Sequence, residues 1–165
     1  MYKLLLSLVL IISGGFIGNS FSQKLINRRK TLSSLVNAIS RIKTLICFGG
    51  MEITEIVEKT LCTNEFPLIN YQYLAADSNY DKAFETSVSN INARFALTKS
   101  DKELLLQFGS KLGDTDIQGQ VAHTELYAEL FSERLSSVKE QENSKTKLYR
   151  ILGFSLGCAI SLIIV

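Results

Sequence analysis

Residues 24–50 read KLINRRKTLSSLVNAISRIKTLICFGG. From Leu25 onward the apolar positions recur at Leu32, Leu35, Val36, Ile39, Ile42, Leu45 and Ile46, the three-and-four spacing of one helix face. Gly49 and Gly50 follow Phe48, and glycine is a common stop signal for a helix. Upstream, residues 4–21 read LLLSLVLIISGGFIGNSF, without a charge or a proline. No breaker separates the two stretches. One long helix is therefore expected to run from an apolar end into an amphipathic segment.

The same logic extends to the rest of the middle. A second helix is expected with Ile53, Ile56, Val57 and Leu61 on one face. Thr63-Asn64-Glu65 breaks the pattern, and Pro67 suits the first turn of a third helix. Asp77-Ser78-Asn79 is another break. A fourth helix carries Ala83, Phe84, Val88 and Ile91, reaching towards Phe95. Ser100 and Glu103 have capping-box spacing ahead of Leu104-Leu105-Leu106, and that fifth helix is expected to reach Leu112-Gly113. A sixth begins near Asp116 and shows no proline or glycine after Gly119 until the second apolar end. No hairpin turn lies between alternating runs. The fold class is all-α: an antiparallel bundle of about six helices between two transmembrane helices, with short connections favouring antiparallel neighbours.

The second apolar end, Ile151 to Val165, also lacks charge. With Leu148 and Tyr149 it is close to the lower limit for spanning a bilayer. The expected organisation is an N-terminal transmembrane helix (1–23), a helical bundle (24–147) and a C-terminal transmembrane helix (148–165). The mean hydropathy of +0.15 reflects those ends. Two readings of the first end stand side by side, a cleaved signal peptide and a retained anchor. Basic residues on the middle side of both ends favour the anchor, and place the bundle in the cytoplasm with both termini outside. Lys24, Arg28, Arg29 and Lys30, with Lys147 and Arg150, sit where anionic headgroups would be, each worth up to ~1 kcal/mol there. Gly14 with Gly18, and Gly153 with Gly157, form small-residue pairs that let membrane helices approach closely. Arg41 and Lys43 lie too far along a straight helix to reach the same bilayer, on the order of 25 Å beyond Lys24. They are expected to pair with acids on neighbouring helices.

Signals for chemistry are sparse. A net charge of +2 gives no basic excess for nucleic acid. There is no glycine-rich phosphate loop. Cys47, Cys62 and Cys158 have no metal spacing, and Cys47 and Cys62 are expected as buried packing residues. His123 is the single histidine; no nucleophile or oxyanion donor accompanies it, and a helix-surface or interface role is the plainer reading. No catalytic residue, cofactor, metal or small-molecule substrate is expected. If the first and last long helices run side by side, Gly49-Gly50 and Gly113 to Asp116 share the end away from the membrane. There Asp114 and Asp116 are expected either to cap the last helix or to dock a partner.

The chain resembles the stage III sporulation protein AB family of endospore-forming bacteria along nearly its whole length. Leu112-Gly113-Asp114-Thr115-Asp116 with Gln120 is similar to the family's Leu-Gly-x-(Thr/Ser)-Asp…Gln string. Lys147-Leu148-Tyr149-Arg150-Ile151-Leu152-Gly153 is similar to its entry into the final membrane helix. Three positions depart from the pattern: Arg41 and Lys43 where acids are usual, Met51-Glu52-Ile53 in place of Thr-Pro-Leu, and Phe84 in place of a tryptophan. The resemblance implies a bundle similar to the cytoplasmic domains of type II secretion platform proteins. It implies a non-catalytic membrane component of the channel between mother cell and forespore, located on the mother-cell side. The partners it implies are a secretion-type ATPase, membrane channel subunits and the lipid bilayer. Two rival readings are a general type II secretion or pilus platform scaffold and an exported helical protein with a cleaved signal peptide.

Overall fold

The computed structural model describes residues 2–48, 50–75 and 79–164, with side chains described within 19–144 and, beyond them, at 148, 151, 152, 155 and 159. Among the described residues there are six α-helices: α1 (Tyr2–Phe48), α2 (Ile53–Leu61), α3 (Tyr71–Leu74), α4 (Tyr80–Ser89), α5 (Lys99–Gly109) and α6 (Ile117–Ile164). A 3₁₀ turn, Ala93–Phe95, joins α4 to α5. The described residues contain no strand, only an isolated antiparallel bridge between Cys62 and Pro67. The chain is all-helical. Its two long helices, of 47 and 48 residues, each contribute to both of two compact units. One unit comprises residues 1–29 and 136–165, the other residues 30–135.

In the unit of residues 30–135 the core follows the periodicity of α1. Leu32, Leu35, Ile39, Ile42 and Ile46 are all buried, at steps of three and four. That spacing keeps one seam facing its neighbours. Ile56, Val57 and Leu61 face the core from α2, and α4 packs against α3 and α5. The approach of α4 to α5 is set by Gly109: a Cβ there would lie 2.0 Å from Phe84 Cε1. Phe84 is itself fully enclosed, so only glycine fits. From α6, Phe131 and Leu135 complete the core, with Thr124 fully buried one heptad before Phe131. The Thr124 hydroxyl is satisfied within its own helix, donating to the Gln120 and Val121 carbonyls.

Several local expectations are corrected. Pro67 does not open a helix. Its fixed φ suits extended chain as well as a first helical turn, and it lies in the bridge to Cys62 while the Ile69 N–H donates to the Leu61 carbonyl at 3.0 Å. That short return buries Leu68 and Ile69. The third helix starts instead at Tyr71, capped by Asn70, whose Oδ1 accepts from the Gln72 N–H. The fourth helix stops at Ser89, short of Phe95, where the Asn90 side chain donates back to the Thr86 carbonyl. The capping box of α5 is not Ser100 with Glu103. Thr98 Oγ1 accepts from the Asp101 N–H at 3.2 Å, and Asp101 Oδ2 accepts from the Thr98 N–H at 2.9 Å. The fifth helix ends at Gly109, and the chain reaches Leu112-Gly113 in a turn.

The unit of residues 1–29 and 136–165 is held by helix pairing. Arg29 on α1 forms an ion pair with Glu142 on α6, and Ser22 and Val138 are buried. Among the described residues, no helix is long and apolar enough to cross a membrane. Gly14, Gly18, Gly153, Gly157, Lys147 and Arg150 lie outside the described side chains, as does Cys158.

Candidate functional site

One end of the unit of residues 30–135 gathers the α1–α2 and α5–α6 turns. α1 ends at Phe48, and Gly50 then adopts φ +87°, a left-handed conformation that glycine takes at no steric cost. Glu52, extended at φ −68°, ψ 150°, leads into α2. After α5, Gly113 adopts φ +92°, and a Cβ there would lie 3.0 Å from Ile53 Cγ1. Leu112 is buried. The next residues form a closed local network. Asp116 Oδ1 accepts from the Gly119 N–H at 3.0 Å, an N-cap of α6. Gln120 Nε2 donates to the Lys111 carbonyl and to Thr115 Oγ1, each at 3.1 Å. Gly119 is needed because a Cβ would meet Thr115 Oγ1 at 2.6 Å. Each residue type in Leu112-Gly113-…-Thr115-Asp116-…-Gln120 thus does something local. Leu112 is buried, Gly113 makes the left-handed turn, and the Thr115 hydroxyl accepts. Asp116 caps the helix, and the Gln120 amide ties turn to helix.

The two turns face a common cleft of about 190 Å³, lined by Gly50, Met51, Ile53, Gly113, Thr115 and Gln120 among others. Leu45 and Ile46 from α1 meet Ile117 and Gln120 from α6 there, while earlier in α1 Lys43 pairs with the later Glu125. In this unit the two helices therefore run antiparallel. The Glu125 hydrogen bond holds Lys43 above the ordinary lysine range. Arg41, also expected to meet an acid, is exposed and makes no ion pair among the described residues. Asp116 acts as the cap. Asp114 is exposed and pairs with Lys111 at 3.3 Å. Gly49 lies outside the described residues.

The remaining candidates take structural places. Lys24 is exposed, with Nζ 5.7 Å from the Phe21 ring centre. Arg28 is half-buried and Lys30 exposed, while Arg29 is engaged by Glu142. His123 stacks on Phe108 with ring centres 5.6 Å apart and planes within 6°. Its Nε2 lies 2.9 Å from the Phe108 carbonyl. A carbonyl only accepts, so that nitrogen carries the proton, and the ring serves packing between α5 and α6. Cys47 is exposed, contrary to expectation, because it lies just beyond the last buried step of α1. Cys62 is half-buried, and burial pushes its thiol up to about 11, with Glu58 adding to the shift; a protonated thiol is a poor nucleophile. The described residues hold no group of three His, Cys, Asp or Glu positioned for a metal ion.

Sequence reasoning does not find the tie between Arg134 and Asp101 (3.1 Å). Asp101 is completely buried; its signal is Thr98-x-x-Asp101, two residues ahead of the Ser100–Glu103 spacing. Nor does it find that Phe48 is 85% exposed and Ile117 58% exposed beside the cleft.

No curated protein and no solved structure matches the chain. A family model, that of stage III sporulation protein AB, matches residues 3–165, which include the turn string and the Lys147–Gly153 string alike. A match over nearly the whole length places the chain in the stage III sporulation protein AB family.

Proposed function

We propose that this chain is a non-catalytic membrane component of the sporulation channel that links mother cell and forespore. In this reading residues 1–23 and 148–165 anchor it, and the bundle faces the mother-cell cytoplasm. Its work is assembly: it docks a secretion-type ATPase and membrane channel subunits, in an architecture akin to type II secretion platform domains. The observation that carries the reading is the shared cleft of the α1–α2 and α5–α6 turns, because residues of the string that resembles the family most specifically (Gly113, Thr115 and Gln120) line it, and Phe48 and Ile117 are left exposed at the same end. Such uncovered apolar surface is characteristic of protein interaction sites. The uncharged runs at residues 4–21 and 151–165, with basic flanks on the bundle side, support the anchoring. Lys24, Arg28 and Lys30 are assigned to the bilayer surface together with Lys147 and Arg150, and Gly14, Gly18, Gly153 and Gly157 to helix contacts within it.

The test is topology together with intact mass. Protein extracted from sporulating cells should retain its first residues, and a protease site introduced into the α4–α5 connection should stay uncut until the cells are opened. Loss of about the first twenty residues, or cleavage from outside, overturns the reading.

A further inference from the structure

The cleft at the α1–α2 and α5–α6 turns has a volume of about 190 Å³. Small-molecule sites usually occupy ~300–1,000 Å³, so this one suits a single inserted side chain. Leu45, Ile46, Met51, Ile53, Ile56 and Ile117 give it apolar walls, and Phe48 stands 85% exposed in the same end of the bundle. Two polar residues, Thr115 and Gln120, break the apolar lining. Gln120 is 4% exposed, and its Nε2 is committed to the Lys111 carbonyl and Thr115 Oγ1. The Lys111 carbonyl can only accept, so the amide cannot be turned round. Gln120 Oε1 is consequently fixed as a buried acceptor, and it has no hydrogen-bond partner, a costly state for a polar atom.

Charge at the rim points to the nature of the occupant. Lys59 is paired with Glu55 and Lys111 with Asp114. The rim charges with no ion-pair partner among the described residues are two carboxylates, Glu52 ahead of α2 and Asp116 ahead of α6. An occupant must therefore offer apolar bulk and positive charge.

We propose that this cleft is the socket for one large apolar side chain of a cytoplasmic protein partner. The partner segment carries a lysine or arginine beside that side chain, which meets Glu52 and Asp116. The proposal rests on the docking role given under Proposed function and specifies the chemistry of what docks. Buried apolar anchors dominate the affinity of protein interfaces, and charged neighbours at the rim add specificity and speed of association.

The experiment uses the full chain in sporulating cells, with benzoylphenylalanine in place of Phe48 or, separately, of Asp114. Both positions are exposed, so neither replacement opens the core. After irradiation the cross-linked partner residue is mapped by mass spectrometry. From position 48 the cross-link should fall on or next to a large apolar residue adjacent to lysine or arginine. Adding Glu52→Lys should reduce its yield roughly tenfold, the loss expected from about 1.4 kcal/mol of binding, with unchanged melting of the purified chain. Four results overturn the socket: a cross-link to a second copy of this chain, a mapped segment without the apolar–basic pair, insensitivity to Glu52→Lys, or cross-linking from position 114 alone. Absence of protein cross-links from both positions overturns the docking role itself, which keeps the two failures apart.

Discussion

Replacing Asp101 by alanine should be among the most damaging single changes outside the apolar core. The carboxylate is completely buried and divides its two oxygens: Oδ2 accepts from the Thr98 N–H at 2.9 Å, and Oδ1 accepts from Arg134 Nη1 at 3.1 Å. The first bond is half of the capping box of α5, and a lost N-cap interaction costs about 1 kcal/mol. The second joins α5 to α6 and is charge-assisted, worth about 1.5–3 kcal/mol. Together they predict a loss of about 2.5–4 kcal/mol for Asp101→Ala. For a chain of this length each kcal/mol lowers Tm by about 2–4 °C, so a drop of about 5–15 °C is expected. Thr98→Ala removes the cap alone and should lower Tm by about 2–4 °C. The assay is thermal unfolding of the purified full chain, followed by far-ultraviolet circular dichroism. A double-mutant cycle with Arg134→Ala should show a coupling of about 1–2 kcal/mol, within the span seen for residues in direct contact. An Asp101→Ala drop no larger than that of Thr98→Ala, with no coupling to Arg134, would refute the division of labour between the two oxygens.

Gly109→Ala drives a methyl into the Phe84 ring, and overpacking of this kind costs about 1–3 kcal/mol; unaltered melting would show that α4 and α5 can separate freely. Asp116→Ala should cost about 1 kcal/mol as a lost cap, whereas Asp114→Asn loses only an exposed ion pair and should stay within about 1 kcal/mol of the parent. Sporulation yield separates their roles: lost yield from a normally melting Asp114→Asn supports docking, and normal yield rules docking out for that side chain. Thiol labelling at a pH of about 8, near the ordinary thiol range and mapped by peptide mass, should modify Cys47 much faster than Cys62. Burial raises the Cys62 pKa to about 11 from the ordinary value of 9.0, which lowers its thiolate fraction about a hundredfold. The sign for stability follows: above the ordinary value of 9.0 the unfolded chain releases that proton more readily than the folded one, so this thiol makes stability fall as pH rises from there towards about 11. Equal labelling of the two cysteines would show that Cys62 is not held as described.

How much of this is legible in the sequence depends on whether a signal is periodic or placed by distant contacts. Leu32, Leu35, Ile39, Ile42 and Ile46 can be read directly, because a helix that buries one face must repeat every three or four residues. Pro67 cannot, since its fixed φ serves an extended return and a helix start equally well. The cap of α5 is ambiguous because two candidate boxes overlap, and only the true helix start at Lys99 decides between them. At the candidate site, the neighbourhood of Gly50 and Gly113 is inferable from helix lengths. The stranded Gln120 Oε1 is not: it exists only because the carbonyl of Lys111, back in the turn after α5, claims the other end of the amide.

The compact unit drawn from residues 1–29 and 136–165 has a consequence during synthesis. Its halves are separated by the whole of the other unit, so the first segment of α1 leaves the ribosome long before Glu142 exists to meet Arg29. At elongation rates of ~5–20 residues per second, that wait is on the order of ten seconds. For that interval the early helix lacks its eventual neighbour, so the pairing of α1 with α6 in this unit comes late in the order in which the molecule is put together.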